Sequence, residues 1–175
     1  YEAKSPWLRI ELPQSFVFRS PGSYNNRGGI SFSLKGKGYL LDVNEPIMTS
    51  YNPATNEFVT MRVVPQFFAQ YGISWTTNND TLYIIGRQDT GLQRYEEATT
   101  SWKTIGVSPS NTLNGILLAL NGNLYYGLGY YEGSFHLQRE MWYYDLKMNA
   151  WFSKSVFPEY TSSLPVAYFS IGNKG

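Results

Sequence analysis

The stretch YNPATNEF, Tyr51 to Phe58, places a tyrosine seven positions before another aromatic residue, with the polar turn Asn52-Pro53-Ala54-Thr55-Asn56 between them. Turn formers flanked by strand formers read as a β-hairpin. The same spacing returns in YEEATTSW, Tyr95 to Trp102, and in YDLKMNAW, Tyr144 to Trp151. In each copy a proline follows the second aromatic by seven residues, at Pro65, Pro109 and Pro158, and a fainter copy without the full frame runs from Trp7 to Pro13. The copies recur every 44 to 52 residues. Periods of that size belong to propellers or arrays of stacked units.

Working outward from the tyrosine, each copy shows four strand-like runs, a to d. Run a covers 29–34, 72–77, 115–120 and 166–171; in the first, Ile30, Phe32 and Leu34 alternate with Ser31 and Ser33, the two-residue period of a strand. The small residues on one face are expected to let a neighbouring sheet approach closely. Short turns follow at Lys35-Gly36-Lys37-Gly38, Asn78-Asn79-Asp80 and Asn121-Gly122-Asn123, rich in residues that tolerate positive φ. Run b is expected over 39–43, 82–86 and 124–129, run c ends at the repeat tyrosine, and run d starts at the repeat aromatic. Proline cannot donate to a strand ladder, so Pro65, Pro109 and Pro158 are expected to end run d. Each copy is then a four-stranded up-and-down sheet.

Such sheets set radially around an axis make a β-propeller. The frame divides one all-β domain into a strand d of a preceding blade over 1–13, three complete blades over 14–65, 66–109 and 110–158, and the start of another blade over 159–175. Three blades do not close a ring that takes roughly four to eight. The expectation is a partial propeller, with the remaining blades supplied by further sequence of the same chain.

Totals narrow the function. Fourteen lysines and arginines against 13 acidic residues leave a formal charge of +1, no basic field for nucleic acid or an anionic membrane. No apolar run reaches the length of a membrane span. Cysteine is absent, which removes disulfides, thiolate metal sites and a cysteine nucleophile together. Aromatic residues reach 17% while charged residues are 15%, a balance suited to half-buried sheets. The triplet Asn79-Asp80-Thr81 has the form of a glycosylation acceptor and falls in a turn.

The hairpin YNPATNEF, with its looser copies, and the closing segment AYFSIGNKG, Ala167 to Gly175, resemble the kelch repeat, whose hairpin pattern is a tyrosine, a small polar turn and then a tryptophan. The resemblance covers essentially the whole chain and points to kelch repeats of bacterial surface and secreted proteins. An extracellular, cell-surface or periplasmic location is implied by that resemblance alone. Departures exist: Phe58 stands where the family has tryptophan, and Leu41-Asp42, Gly86-Arg87 and Gly127-Leu128-Gly129 replace the glycine pair usual at the end of strand b.

The repeat aromatics Tyr51, Phe58, Tyr95, Trp102, Tyr144 and Trp151 are expected to be structural, closing hairpins and packing between blades. Function is sought in the connections. Because strands alternate direction, the d–a crossings and b–c loops leave one end of the sheets, and only there are connections expanded, over 13–29 and over 129–141. Aromatics mixed with arginine and amides suit a binding surface, so the candidate loop face comprises Tyr24, Asn26, Arg27 and Arg87 together with Tyr130, Tyr131, His136 and Arg139. A single loop aromatic more often packs than binds.

His136 is the single histidine, so no zinc or copper site of ordinary composition is expected within this chain, and no cofactor. Glu96 and Glu97 lie in a c–d turn at the opposite end and do not read as an acid–base pair. Gly127-Leu128-Gly129 precedes tyrosines rather than a helix and fails as a nucleotide loop. The expected function is non-catalytic: a module presenting one loop face to a protein or glycan. Two alternatives stand beside it. The resemblance implies sugar-active kelch-like enzymes: a galactose-oxidase-like site needs a cysteine that this chain lacks, and an epimerase-like one would draw on Arg87 and Arg139. The other alternative is a structural spacer in a surface protein.

Overall fold

The computed structural model describes residues 30–42, 47–62, 73–86, 91–131 and 136–157. The described residues are all-β apart from one 3₁₀ turn, Glu97–Thr99. The first sheet is β1 (Ile30–Leu34), β2 (Lys37–Asp42), β3 (Ile47–Asn52) and β4 (Glu57–Arg62), hydrogen-bonded in chain order. The second repeats that order with β5 (Ser74–Asn78), β6 (Thr81–Ile85), β7 (Leu92–Glu96) and β8 (Ser101–Gly106). After a short β9 (Thr112–Leu113), the third runs β10 (Ile116–Leu120), β11 (Asn123–Gly127), β13 (Met141–Asp145) and β14 (Ala150–Ser153), with β12 (Tyr130–Tyr131) set between β11 and β13 in sequence. All pairings are antiparallel.

Turn chemistry explains the first hairpin of each sheet. The linkers Lys35-Gly36, Asn79-Asp80 and Asn121-Gly122 hold positive φ at both residues, the backbone of a type I′ turn whose twist matches the flanking strands. Each turn is therefore two residues long. Lys37, Gly38 and Asn123 were expected in turns and instead pair within β2 and β11, and β5 runs over 74–78 rather than 72–77; Gly72 lies outside the described residues. Run b of the third copy ends at Gly127, because Leu128 and Gly129 turn out at φ 56° and 83°.

The repeat aromatics face each other across the c–d hairpins. Tyr51 pairs with Phe58, Tyr95 with Trp102 and Tyr144 with Trp151 in register, with ring centroids 4.8, 5.1 and 4.9 Å apart. Tilted pairs at this spacing add to what burial alone contributes. The hydroxyls go further. That of Tyr95 points at the Met61 sulfur of β4, 3.8 Å away, and that of Tyr144 donates to the Ile105 carbonyl of β8. Met61 and Ile105 each lie three residues after a repeat aromatic, so two successive tyrosines reach to the same place on the preceding sheet.

Two apolar layers result. Ile30, Leu34, Tyr39, Leu41 and Met48 of the first sheet pack against Leu82, Ile84 and Tyr95 of the second. Tyr83, Ile85 and Leu92 on the other face of the second sheet pack against Leu117, Leu124, Tyr126 and Tyr144 of the third. Covered on both faces, β6 reads as the continuous apolar run Leu82-Tyr83-Ile84-Ile85. The first strands meet edgewise: β5 lies against both β1 and β10, the Ser74 hydroxyl donates to the Gly115 carbonyl at 2.6 Å, and the Trp75 indole to the Ser31 carbonyl at 3.3 Å. Ser31 and Ser33, expected on a face closely approached by a neighbouring sheet, are exposed; the second sheet packs on the opposite side, over Ile30 and Leu34.

Candidate functional site

At the loop end of the third sheet, β9 and β12 form a two-stranded ribbon, Leu113 opposite Tyr130 and Thr112 opposite Tyr131. It joins the crossing that leads into the sheet to the b–c connection within it. Its footing is buried: Thr112 and Leu113 are 2% and 7% exposed, and the core hydroxyl of Tyr126 donates to the Thr112 carbonyl at 2.8 Å. Upstream, the Ser108 hydroxyl donates to the Ser110 carbonyl at 2.8 Å, and the hydroxyls of Ser110 and Thr112 meet at 2.7 Å, a local polar chain that shapes the crossing.

The b–c connection then doubles back on itself. Leu128 donates to the Glu140 carbonyl, the Gln138 amide to that of Gly129, and Tyr131 to that of His136, while Tyr130 bridges Leu137. Gly129 makes this possible: at φ +83°, an added Cβ would lie 2.4 Å from the Leu113 carbonyl oxygen. Only glycine accepts both the dihedral and the approach. The described parts of the connection, 128–131 and 136–140, thereby form a braced ribbon.

Four candidate residues fall on this element. Tyr131 is 38% exposed and His136 is exposed. Tyr130 is half-buried, its hydroxyl 3.5 Å from the Asn114 amide nitrogen. Arg139 serves as a strap: its Nε and Nη2 donate to the Phe157 carbonyl at 2.8 and 2.5 Å, and the Phe157 amide returns a bond to the Arg139 carbonyl at 2.8 Å. Phe157 itself stays 37% exposed. Tyr24, Asn26, Arg27 and Arg87 lie outside the described residues. Phe157, Thr112 and Leu113 were missed in the sequence, although a β-branched and an apolar residue inside a polar crossing are the mark of a short strand.

The opposite end holds a different feature. A cleft of about 390 Å³ opens between the Lys35 turn and the Glu97 turn, floored by Leu34 and Tyr95. Lys35 Nζ meets Glu97 Oε2 at 2.7 Å, the Tyr39 hydroxyl reaches Glu97 Oε1 at 3.4 Å, and the Lys35 amide donates to Asp80 Oδ1 at 3.2 Å. The bond from Lys35, with its charge, holds Glu97 below the ordinary carboxylate range. Arg94 pairs with Glu96 on its own strand. Lys35 thus bridges the first sheet to Glu97 and Asp80 of the second, while Arg94 and Glu96 answer each other within one strand. Among the described residues, no cluster of histidine and carboxylates could hold a metal ion, and no helix is long and apolar enough to cross a membrane.

No family model matches this sequence, and no curated protein does. Among solved structures, that of YjhT is similar, with a TM-score of 0.59 at 14% identity over 79% of this chain and 54% of that one. The chain thus spans about half the length of that structure. The likeness concerns the fold alone.

Proposed function

We propose that this chain is part of a kelch-type β-propeller and acts as a non-catalytic binding module, its loop end engaging a protein or glycan. Three sheets of one strand order, meeting through their first strands and each closed by a tyrosine–aromatic hairpin, support the propeller reading. The observation that carries the binding reading is the braced ribbon. Its backbone is held by the β9–β12 pairing and by the Arg139–Phe157 strap, while the rings of Tyr131 and Phe157 stay accessible. Aromatic groups already held in place lose little conformational freedom when a partner docks.

A screen of immobilised glycans and candidate protein ligands against the chain tests this. Binding lost in Tyr131→Ala and Phe157→Ala, with the unfolding midpoint kept, is the expected result. Binding that survives both substitutions would move the site elsewhere, and turnover of a bound sugar would replace the binding reading with an enzymatic one.

A further inference from the structure

The cleft between the Lys35 turn and the Glu97 turn holds about 390 Å³, at the low end of the roughly 300–1,000 Å³ of small-molecule sites. Its walls carry Lys35 from the first sheet and Asp80, Thr81, Arg94, Glu96 and Glu97 from the second. Both oxygens of Glu97 are taken, one by Lys35 Nζ and one by the Tyr39 hydroxyl. Its neighbours keep capacity. Arg94 brings Nε and Nη2 to a single oxygen of Glu96, Oε1, and Asp80 accepts the Lys35 amide on Oδ1. Glu96 Oε2, Asp80 Oδ2 and Arg94 Nη1 are left over among the described residues, and the side chains of Arg94 and Glu96 are 36% and 38% exposed.

The internal repeat separates what two sheets need in order to dock from what this cleft adds. Register sets Asn79, Gly122 and Leu146, where the second sheet meets the third, at the places of Lys35, Asp80 and Glu97. There Leu146 packs against the apolar layer, and the sheets meet without this charged set. Arg94 likewise holds the place of Tyr143. Exposed ion pairs contribute little to stability. The polar wall is surplus to the scaffold.

Charge decides the class of ligand. Two cations stand among three carboxylates, so neither an added anion nor an added cation finds a wall of opposite sign. A hydroxyl both donates and accepts: neighbouring hydroxyls of one ring can donate to Glu96 Oε2 and Asp80 Oδ2 and accept from Arg94 Nη1. Hydrogen bonds to ionised partners are the strong ones. A sugar ring also offers carbon surface to the floor of Leu34 and Tyr95. We infer that this cleft is a binding site for a short neutral saccharide, with Asp80 and Glu96 as acceptors of its hydroxyls and Arg94 as a donor to them. The site lies at the opposite end of the sheets from the ribbon and is independent of the loop-end binding reading.

Amide chemical shifts followed by NMR test it, with the chain titrated separately with lactose, cellobiose and maltose, and with glucose 6-phosphate and glucosamine as charged counterparts. At least one neutral disaccharide is expected to shift the amides of Lys35, Asp80 and Glu97 saturably, and to bind more tightly than either charged sugar. Asp80→Asn keeps an oxygen for the Lys35 amide and a residue that tolerates the φ of 53°, and Glu96→Gln removes one part-exposed charge. Each is expected to lose roughly tenfold in affinity, the scale of a hydrogen bond to a charged group, with the thermal midpoint kept. Tyr131→Ala, at the far end, is expected to bind the sugar as wild type does. No shift at these amides with any of the neutral sugars would overturn the inference, as would tighter binding of a charged sugar or an affinity unchanged in both carboxylate variants. Loss of the sugar in Tyr131→Ala alone would place it at the loop end and overturn this site while sparing the loop-end reading.

Discussion

The Ser74 hydroxyl donates to the Gly115 carbonyl 41 residues away, at 2.6 Å, and Ser74 is 1% exposed. This bond ties β5 of the second sheet to the start of β10 in the third. A buried carbonyl deprived of its donor loses roughly 1 to 3 kcal/mol. Ser74→Ala is expected to lower stability by about that much, read as a shift of the urea midpoint at constant slope. An unchanged midpoint would mean that the bond contributes nothing.

Tyr144 and Tyr51 occupy the same place in the repeat but different surroundings. Tyr144 is fully buried and donates to the preceding sheet, whereas Tyr51 is half-exposed and donates to its own turn. Removing the hydroxyl of Tyr144 orphans the Ile105 carbonyl, so Tyr144→Phe is expected to destabilise the chain by about 1 to 2 kcal/mol. Tyr51→Phe is expected to stay within about 0.5 kcal/mol. Equal losses in both variants would contradict the inter-sheet role.

Gly129→Ala combines a positive φ with a 2.4 Å approach to the Leu113 carbonyl oxygen. Alanine at such a dihedral destabilises by more than about 1 kcal/mol before any steric clash is added. β12 is expected to detach from β9 while the sheets persist. Amide exchange would then rise at Thr112, Tyr130 and Tyr131 and stay slow in β6 and β11.

The Lys35–Glu97 contact gives a pH dependence of known sign. Glu97 is held below its ordinary value of 4.5, chiefly by the hydrogen bond from Lys35, and Lys35 is raised above 10.5 by the same bond. The carboxylate's contribution is complete above its unfolded value and fades as pH falls through the lower folded one. That of the lysine is complete below its unfolded value and fades as pH rises through the raised one. Both side chains are well exposed, so the effect is small. Thermal midpoints of wild type and Glu97→Gln are expected to differ near neutrality and to converge as pH falls through the lowered value of Glu97; a constant gap would rule the contact out as the cause.

Burial pushes the Tyr126 hydroxyl well above the usual tyrosine range, and Tyr39, Tyr83, Tyr95 and Tyr144 rise for the same reason. A phenol with a raised folded value adds stability that is complete below its unfolded value and lost as pH climbs through the folded one. Ultraviolet titration is therefore expected to show two sets of tyrosines. The buried set, Tyr126 foremost, ionises only together with alkaline unfolding. A single transition well before unfolding would show that these hydroxyls are open to water.

Much of this could be read locally. YNPATNEF and its copies marked the c–d hairpins because a tyrosine, a turn and an aromatic seven positions on face each other across an antiparallel pair. Asn121-Gly122-Asn123 marked a hairpin turn because asparagine and glycine tolerate positive φ, and the structure narrows it to Asn121 and Gly122. The loop end was legible as an expanded connection carrying Tyr130, Tyr131, His136 and Arg139. That Arg139 would be occupied by the Phe157 carbonyl was not, since an arginine in a loop looks the same whether it awaits a partner or already holds one.

Strand order within each sheet, the places of its turns and the repeat frame follow from the sequence itself, because dihedral preference and two-residue alternation act over a few neighbouring positions. Tertiary structure alone decided the rest: that Lys35 meets Glu97 across 62 residues, and that Thr112 and Tyr131 pair into a ribbon. Those relations depend on how whole sheets stack. Stacking is set by many weak contacts summed over both faces, and no short segment carries that sum.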